Sequence, residues 1–145
     1  MRFLAINPTD ATVKPIYATD IFAAAAHVGL HRDRLDNGLI CRGLAIWVYE
    51  FALYMRQQRY FSIGQQLFGG MAVLEQVDSA GETVDVDEPP AVLFFRDNAE
   101  VEHAIKYGDV RRPEFRINDK LLWQWPEPTP PFEMIVEKMR EHGTL

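Results

Sequence analysis

Hydrophobic residues fall in short runs broken by glycine, proline, asparagine or aspartate, the rhythm of strands joined by tight turns. Arg2 to Ile6 reads as a strand, Asn7-Pro8-Thr9-Asp10 as a turn, and Thr12 to Tyr17 as a second strand. Pro15 places that second strand at a sheet edge, because proline has no N–H to give a ladder. Thr19 or Asp20 then caps a helix over Ile21 to Val28. Its alanines at 23 to 26 permit close approach to a sheet, Gly29 supplies a left-handed C-cap, and Leu30 is the apolar residue beyond it.

His31 to Gly38 reads as a polar loop ending in an Asn37-Gly38 turn. Leu44 to Met55 is apolar at both alternating sets of positions, which fits a central strand covered on both sides, with a buried helix as the alternative. Tyr60 to Ile63 and Leu67-Phe68 are short strands around Gly64, and Gly69-Gly70 marks a bulge or turn. Met71 to Val77 and Thr83 to Val86 pair as a hairpin across Ser79-Ala80-Gly81, and Ala91 to Phe95 is a further strand. Asp97 or Asn98 caps a second helix over Ala99 to Tyr107, with Val101 and Ile105 inward and Gly108 closing it. Phe115 to Ile117 and Lys120 to Trp125 form a hairpin across Asn118-Asp119. Prolines 126, 128, 130 and 131 stiffen a connector to a terminal helix, Phe132 to His142, whose stripe is Phe132, Ile135, Val136 and Met139.

These elements predict an α+β fold: a mostly antiparallel sheet with two or three helices packed against it, on one face. Residues 1–145 read as one domain, with the proline-rich connector near 126–131 leading to the C-terminal helix. The chain has 145 residues, 48% of them hydrophobic and 25% charged, so it can bury a core without a staple. Cys41 stands alone and can form no internal disulfide, which suits a reducing compartment. The first apolar run is too short for a signal peptide, and no stretch is long enough to span a bilayer, so a cytoplasmic location is expected.

A net charge of −6 argues against sequence-independent nucleic-acid binding. The charge is uneven. Glu75, Asp78, Glu82, Asp85, Asp87 and Glu88 lie in one stretch without Lys or Arg, whereas arginines gather at 32, 34 and 42, at 56 and 59, and at 111, 112 and 116. Solvated surface charge explains this pattern; so does a two-signed surface that steers a partner.

Catalytic patterns are weak. His27 and His31 have the spacing of a zinc pair, but Gly29 between them ends the helix. Cys41 lies in apolar company, as an inert packing residue does. Ser62 is flanked by Phe61 and Ile63, too bulky for a nucleophile elbow, and Gly69-Gly70 lacks the lysine and hydroxyl of a phosphate loop. Glu50 sits in an apolar segment where burial would raise its pKa, unless an arginine pairs with it at an edge. Trp123 and Trp125 share a strand face with Leu121, either as an exposed platform or packed under the proline connector. No metal and no cofactor are expected, and no catalytic residue is assigned.

The middle of the chain, with two later segments, carries a resemblance. Tyr60-Phe61-Ser62-Ile63-Gly64, Leu67 to Leu74 and Asp78 to Thr83, with Val101 to Ile105 and Arg112-Pro113, resemble small uncharacterised proteins carried by bacteriophages and prophages. The shared positions are structural glycines and hydrophobics, so the resemblance implies a phage-accessory origin, with the host cytoplasm as location, and no activity.

The expected function is that of a non-catalytic accessory protein acting by binding another protein, in its narrower form an inhibitor of a host factor. Glu82, Asp85, Asp87, Arg111, Arg112, Trp123 and Trp125 are the candidate binding residues. Edge strands could also pair two copies. One alternative is a small-molecule binder or enzyme with Tyr49, Glu50 and Tyr60 in a pocket between sheet and helices. The other is a nucleic-acid binder using Arg56, Arg59, Arg111, Arg112 and Arg116 with Tyr60 and Trp125.

Overall fold

The structure is a computed structural model that describes residues 1–54, 59–127, 136, 140 and 141. It begins with a hairpin of β1 (Arg2–Asn7) and β2 (Thr12–Tyr17). Phe3, Leu4, Ala5 and Ile6 are all buried, so β1 needs cover on both of its faces. Cover beside it comes from β7 (Ala72–Val77), which is followed outward by β4 (Leu44–Tyr49) and β3 (Leu35–Cys41). The resulting sheet runs β2-β1-β7-β4-β3, every pair antiparallel, and the two-residue β8 (Thr83–Val84) extends the β1 side of β7.

A second antiparallel sheet has the order β6-β5-β9, from β5 (Tyr60–Ile63), β6 (Gln66–Gly69) and β9 (Val92–Phe95). The two sheets stack. Leu4, Ile6, Ile46 and Leu74 from the first meet Phe61, Ile63 and Phe68 from the second. The intervening residues of each strand face outward, as a period of two requires. Helix α1 (Ile21–His27) covers the outer face of the large sheet, with Ile21 and Ala24 on Phe3 and Val73. Helix α2 (Asn98–Lys106) and the hairpin of β10 (Glu114–Ile117) and β11 (Lys120–Gln124) cover the outer face of the small sheet. There Val101, Ala104, Trp123 and Trp125 pack with Tyr60, Leu67 and Phe95.

The α+β class and the antiparallel pairing agree with the sequence pattern, but the helices do not share a face. Strands β5, β6 and β9 form their own sheet over the inner face of the first, so α2 is left with the far side. The helix ends follow the sequence closely. Asp20 Oδ1 accepts from Ala23 N at 2.8 Å, and Asp97 Oδ1 from Glu100 N at 2.9 Å. Each such cap is worth about 1 kcal/mol. At Gly29, with φ +79°, Leu30 N donates to Ala25 O and Gly29 N to Ala26 O, the paired bonds of a left-handed C-cap.

Two boundaries differ from the expectation. Asn37 and Gly38 are not a turn but the middle of β3; the chain reverses at Arg42-Gly43, where Gly43 has φ +80°. The apolar segment from Leu44 is a strand only to Tyr49, then a turn and a short 3-10 helix at Ala52–Tyr54. Most of the terminal helix expected over Phe132 to His142, and prolines 128, 130 and 131 of the connector, lie outside the described residues. No helix among the described residues is long and apolar enough to cross a membrane.

Candidate functional site

Among the described residues the sandwich is open along one side, where β3 of the large sheet and β6 of the small sheet are both terminal strands. A cleft of about 520 Å³ lies there, and Leu53, Tyr54, Gln65, Gln66, Arg111 and Trp123 are among the residues that line it. A second cavity of about 220 Å³ continues it under Asp36, Asn37 and Gly38 of β3, and the two share Leu53, Tyr54, Gln66 and Leu67.

The lip of the cleft is built by hydrogen bonds around one turn. Gly64, with φ +59°, and Gln65 reverse the chain between β5 and β6. Arg111 N donates to Gln65 O at 2.8 Å, Arg111 Nε donates to Gln65 Oε1 at 3.1 Å, and Gln65 Nε2 donates to Gly108 O at 3.3 Å. One glutamine thus ties the β5–β6 turn to the segment after α2 and fixes the direction of the Arg111 guanidinium. Part of the lining is aromatic: Tyr54 and Trp123 meet edge to face, ring centres 4.7 Å apart. Burial pushes the Tyr54 phenol above its ordinary pKa, so it stays neutral across the physiological range.

The charges lining the cleft are not equivalent. Arg112 Nη1 donates to Glu102 Oε1 at 2.8 Å and to Trp125 O at 2.7 Å, and its Nη2 donates to Glu102 Oε2. This bidentate pair holds Glu102 below the usual carboxylate range and raises Arg112. Glu114 accepts from Arg116 Nε at 2.7 Å. Among the described residues Arg111 is the one charge of the cleft lining without a counter-charge.

The sequence-predicted residues scatter. Of the binding candidates, Arg111 stands at the cleft and Arg112 lines it in a saturated ion pair. Trp123 and Trp125 are core residues, 5% and 1% exposed, so they form no exposed platform; Trp123 Nε1 donates to Glu127 O. Trp125 packs edge to face on Tyr60, 5.4 Å between ring centres. Tyr60 lines neither cavity: it is 5% exposed and packed in the core between the small sheet and α2. Tyr49 and Glu50 do line the smaller cavity, but Glu50 is paired with Arg34 at 3.2 Å and is an edge glutamate, not a buried acid.

The acidic stretch divides as well. Glu82, Asp85 and Asp87 are exposed, and Asp85 Oδ1 accepts from Arg2 N at 2.7 Å. Asp78 Oδ1 accepts from Ala80 N and Glu82 N and so closes the turn. Glu75 turns inward, buried, with Trp47 Nε1 and Thr83 Oγ1 donating to its two oxygens at 3.0 and 2.8 Å. Its place two residues after the buried Val73 was the available signal.

Cys41 is exposed, not packed; among the described residues no strand pairs with the outer edge of β3. His27 and His31 are both exposed and lie on either side of the Gly29 cap. Among the described residues no three His, Cys, Asp or Glu side chains come together as metal ligands could. Of the arginines expected to meet a nucleic acid, Arg112 and Arg116 are neutralised by carboxylates, and Arg56 lies outside the described residues. Sequence reasoning missed Gln65, Gln66 and Tyr54, which become neighbours only when the two sheets stack. No family model, no curated protein and no solved structure matches the chain.

Proposed function

We propose that this protein is a non-catalytic accessory protein that works by binding another protein, and that the cleft around Arg111 receives an extended, carboxylate-bearing segment of that partner. The observation that carries the reading is Arg111. It is a guanidinium held in place by Gln65, without a counter-charge among the described residues, in a cleft that Tyr54 and Trp123 also line. Arginine is suited to this role because its planar fork takes a carboxylate through two parallel hydrogen bonds. The aromatic part of the lining gives an apolar side chain somewhere to go.

Among the described residues the cleft lining contains no histidine, cysteine or serine. The exposed acids Glu82, Asp85 and Asp87 add a second requirement. A partner that meets both presents its anionic group within an otherwise basic surface, the complement of a chain with net charge −6. The resemblance of the middle of the chain to phage and prophage proteins directs the search to bacterial host proteins and to inhibition of a host factor.

A capture experiment from bacterial lysate, with wild type and Arg111→Glu as parallel baits, tests the reading. A protein held by wild type and lost from the variant is expected, with equal melting temperatures for the two baits. Identical captured sets, or none from either, would count against it. A second reading, a small-molecule site, is favoured by the cleft's volume of about 520 Å³, within the ordinary range for ligand pockets. Thermal-shift screening of small carboxylic acids distinguishes it, since a stabilising compound that still acts on Arg111→Ala would not be using this site.

A further inference from the structure

The two edges of the large sheet are not alike. On β2, Ala18 N donates to Met1 O, and strict alternation from there puts Pro15 at an outward-facing position, where it removes the donor. Lys14 beside it is exposed, a second blocking device. On β3 there is neither proline nor lysine. Arg34 O accepts from Glu50 N, so residues 36 and 38 exchange bonds with 48 and 46, and the backbone groups of Leu35, Asn37 and Leu39 face away from the sheet. The outward Asn37 N–H donates to the adjacent Asp36 Oδ1 at 2.9 Å, a local stand-in for a strand partner. Leu39, on the same face as Leu35 and Asn37, is 75% exposed.

We propose that β3 pairs antiparallel with β3 of a second copy, in the register that sets Asn37 opposite Asn37 about a two-fold axis. The sequence of the strand selects this register. It places Leu35 of each copy beside Leu39 of the other, covering the exposed leucine, and the two Asn37 amides can bond across the axis. On the opposite face it sets each Asp36 against Gly38, so no like charges meet. A two-fold at Asp36 would juxtapose two carboxylates. A two-fold at Gly38 would run into the irregularity between Leu39 and Cys41. The contact is isologous and closes on itself, giving a dimer and not a fibre. Because each copy carries a charge of −6, long-range repulsion opposes association, and salt should strengthen the dimer. The dimer needs nothing from the cleft, but Asp36, Asn37 and Gly38 also line the smaller cavity, so a copy paired on β3 and a partner in the cleft compete for the same side of the sandwich.

Sedimentation over a concentration series, at low and at high salt, tests it on the full chain. Wild type should show a monomer–dimer equilibrium that shifts toward dimer with salt. Leu39→Lys should weaken it by about tenfold or more, the loss of one buried leucine and the gain of a charge. Leu93→Lys, at another exposed strand leucine, should leave it unchanged. The register is read separately: in a Cys41→Ser background, Asn37→Cys should be captured as a dimer by a short bismaleimide, and Leu93→Cys should not. Monomeric wild type at every concentration and salt would overturn the proposal. So would dimerisation of Leu39→Lys equal to wild type, or cross-linking at Leu93→Cys in place of Asn37→Cys.

Discussion

Gly43 decides where β3 ends, and replacing it tests the edge on which the open side of the sandwich depends. Its φ is +80°, and a Cβ there would lie 2.6 Å from Val77 O and 2.7 Å from Gln76 Nε2. The glutamine can swing away. The carbonyl cannot, because the same stretch of β7 is tied to the turn through Val77 N donating to Gly43 O. A left-handed backbone costs an L-residue about 1–2 kcal/mol. Driving a methyl group into a fixed backbone atom adds about 1–3 kcal/mol. Gly43→Ala should therefore lose about 2–5 kcal/mol, on the order of 10 °C in Tm for a chain this size.

Gly38 is the internal control. It lies within β3, has no left-handed φ, and has nothing within 4 Å of where its Cβ would be. Gly38→Ala should be neutral or gain up to about 1 kcal/mol, since glycine inside a strand is itself unfavourable. Urea unfolding with a common slope for all three proteins measures both changes. The opposite order, a large loss at Gly38→Ala with Gly43→Ala tolerated, would put the turn at Asn37-Gly38 and abolish the edge strand.

Glu75→Ala should cost about 2–4 kcal/mol by chemical denaturation, because it strands the Trp47 and Thr83 donors in a buried site; a loss below about 0.5 kcal/mol would show those bonds to be dispensable. Amides at Glu82, Asp85 and Asp87 together should stay within about 0.5 kcal/mol of wild type. The same triple change should slow association with the captured partner at low salt and not at high salt, as measured by stopped flow. A Cβ at Gly29 would meet no atom within 4 Å, so Gly29→Val should cost at least the left-handed backbone, about 1–2 kcal/mol or more in a thermal melt. The Arg112 hydrogen bonds depress the Glu102 pKa, so the pair stabilises the fold above the ordinary carboxylate pKa of about 4.3 and that contribution fades as pH falls through the folded value. Partial exposure keeps it small, below about 1 kcal/mol, and Glu102→Gln should flatten the acid limb of stability against pH without moving the alkaline limb.

Local chemistry made the turns and caps legible: Asp20, Gly29, Asp97 and the Asn118-Asp119 hairpin all sit where the sequence put them. What it could not show was how strands assort between sheets. An apolar alternation in Tyr60 to Phe68 says that both faces are covered, not by what, and the answer separates α2 from α1. Asn37-Gly38 has strong turn chemistry, yet the close fit of Gly43 against Val77 overrides it. The cleft was the least legible feature. Gln65 and Arg111 are distant in sequence and carry no pattern linking them, and the tryptophans that suggested a surface are consumed by the core.

Site-specific photo-cross-linking tests the central claim, that the open side of the sandwich binds a partner protein. A photoreactive residue replaces Gln66, whose exposed side chain lines both cavities, or Lys14 on the blocked edge of β2. In bacterial lysate the account predicts a discrete adduct from position 66, absent from position 14, and lost when Arg111→Glu is added. An adduct from position 14 alone, or one from position 66 indifferent to Arg111→Glu, would contradict it.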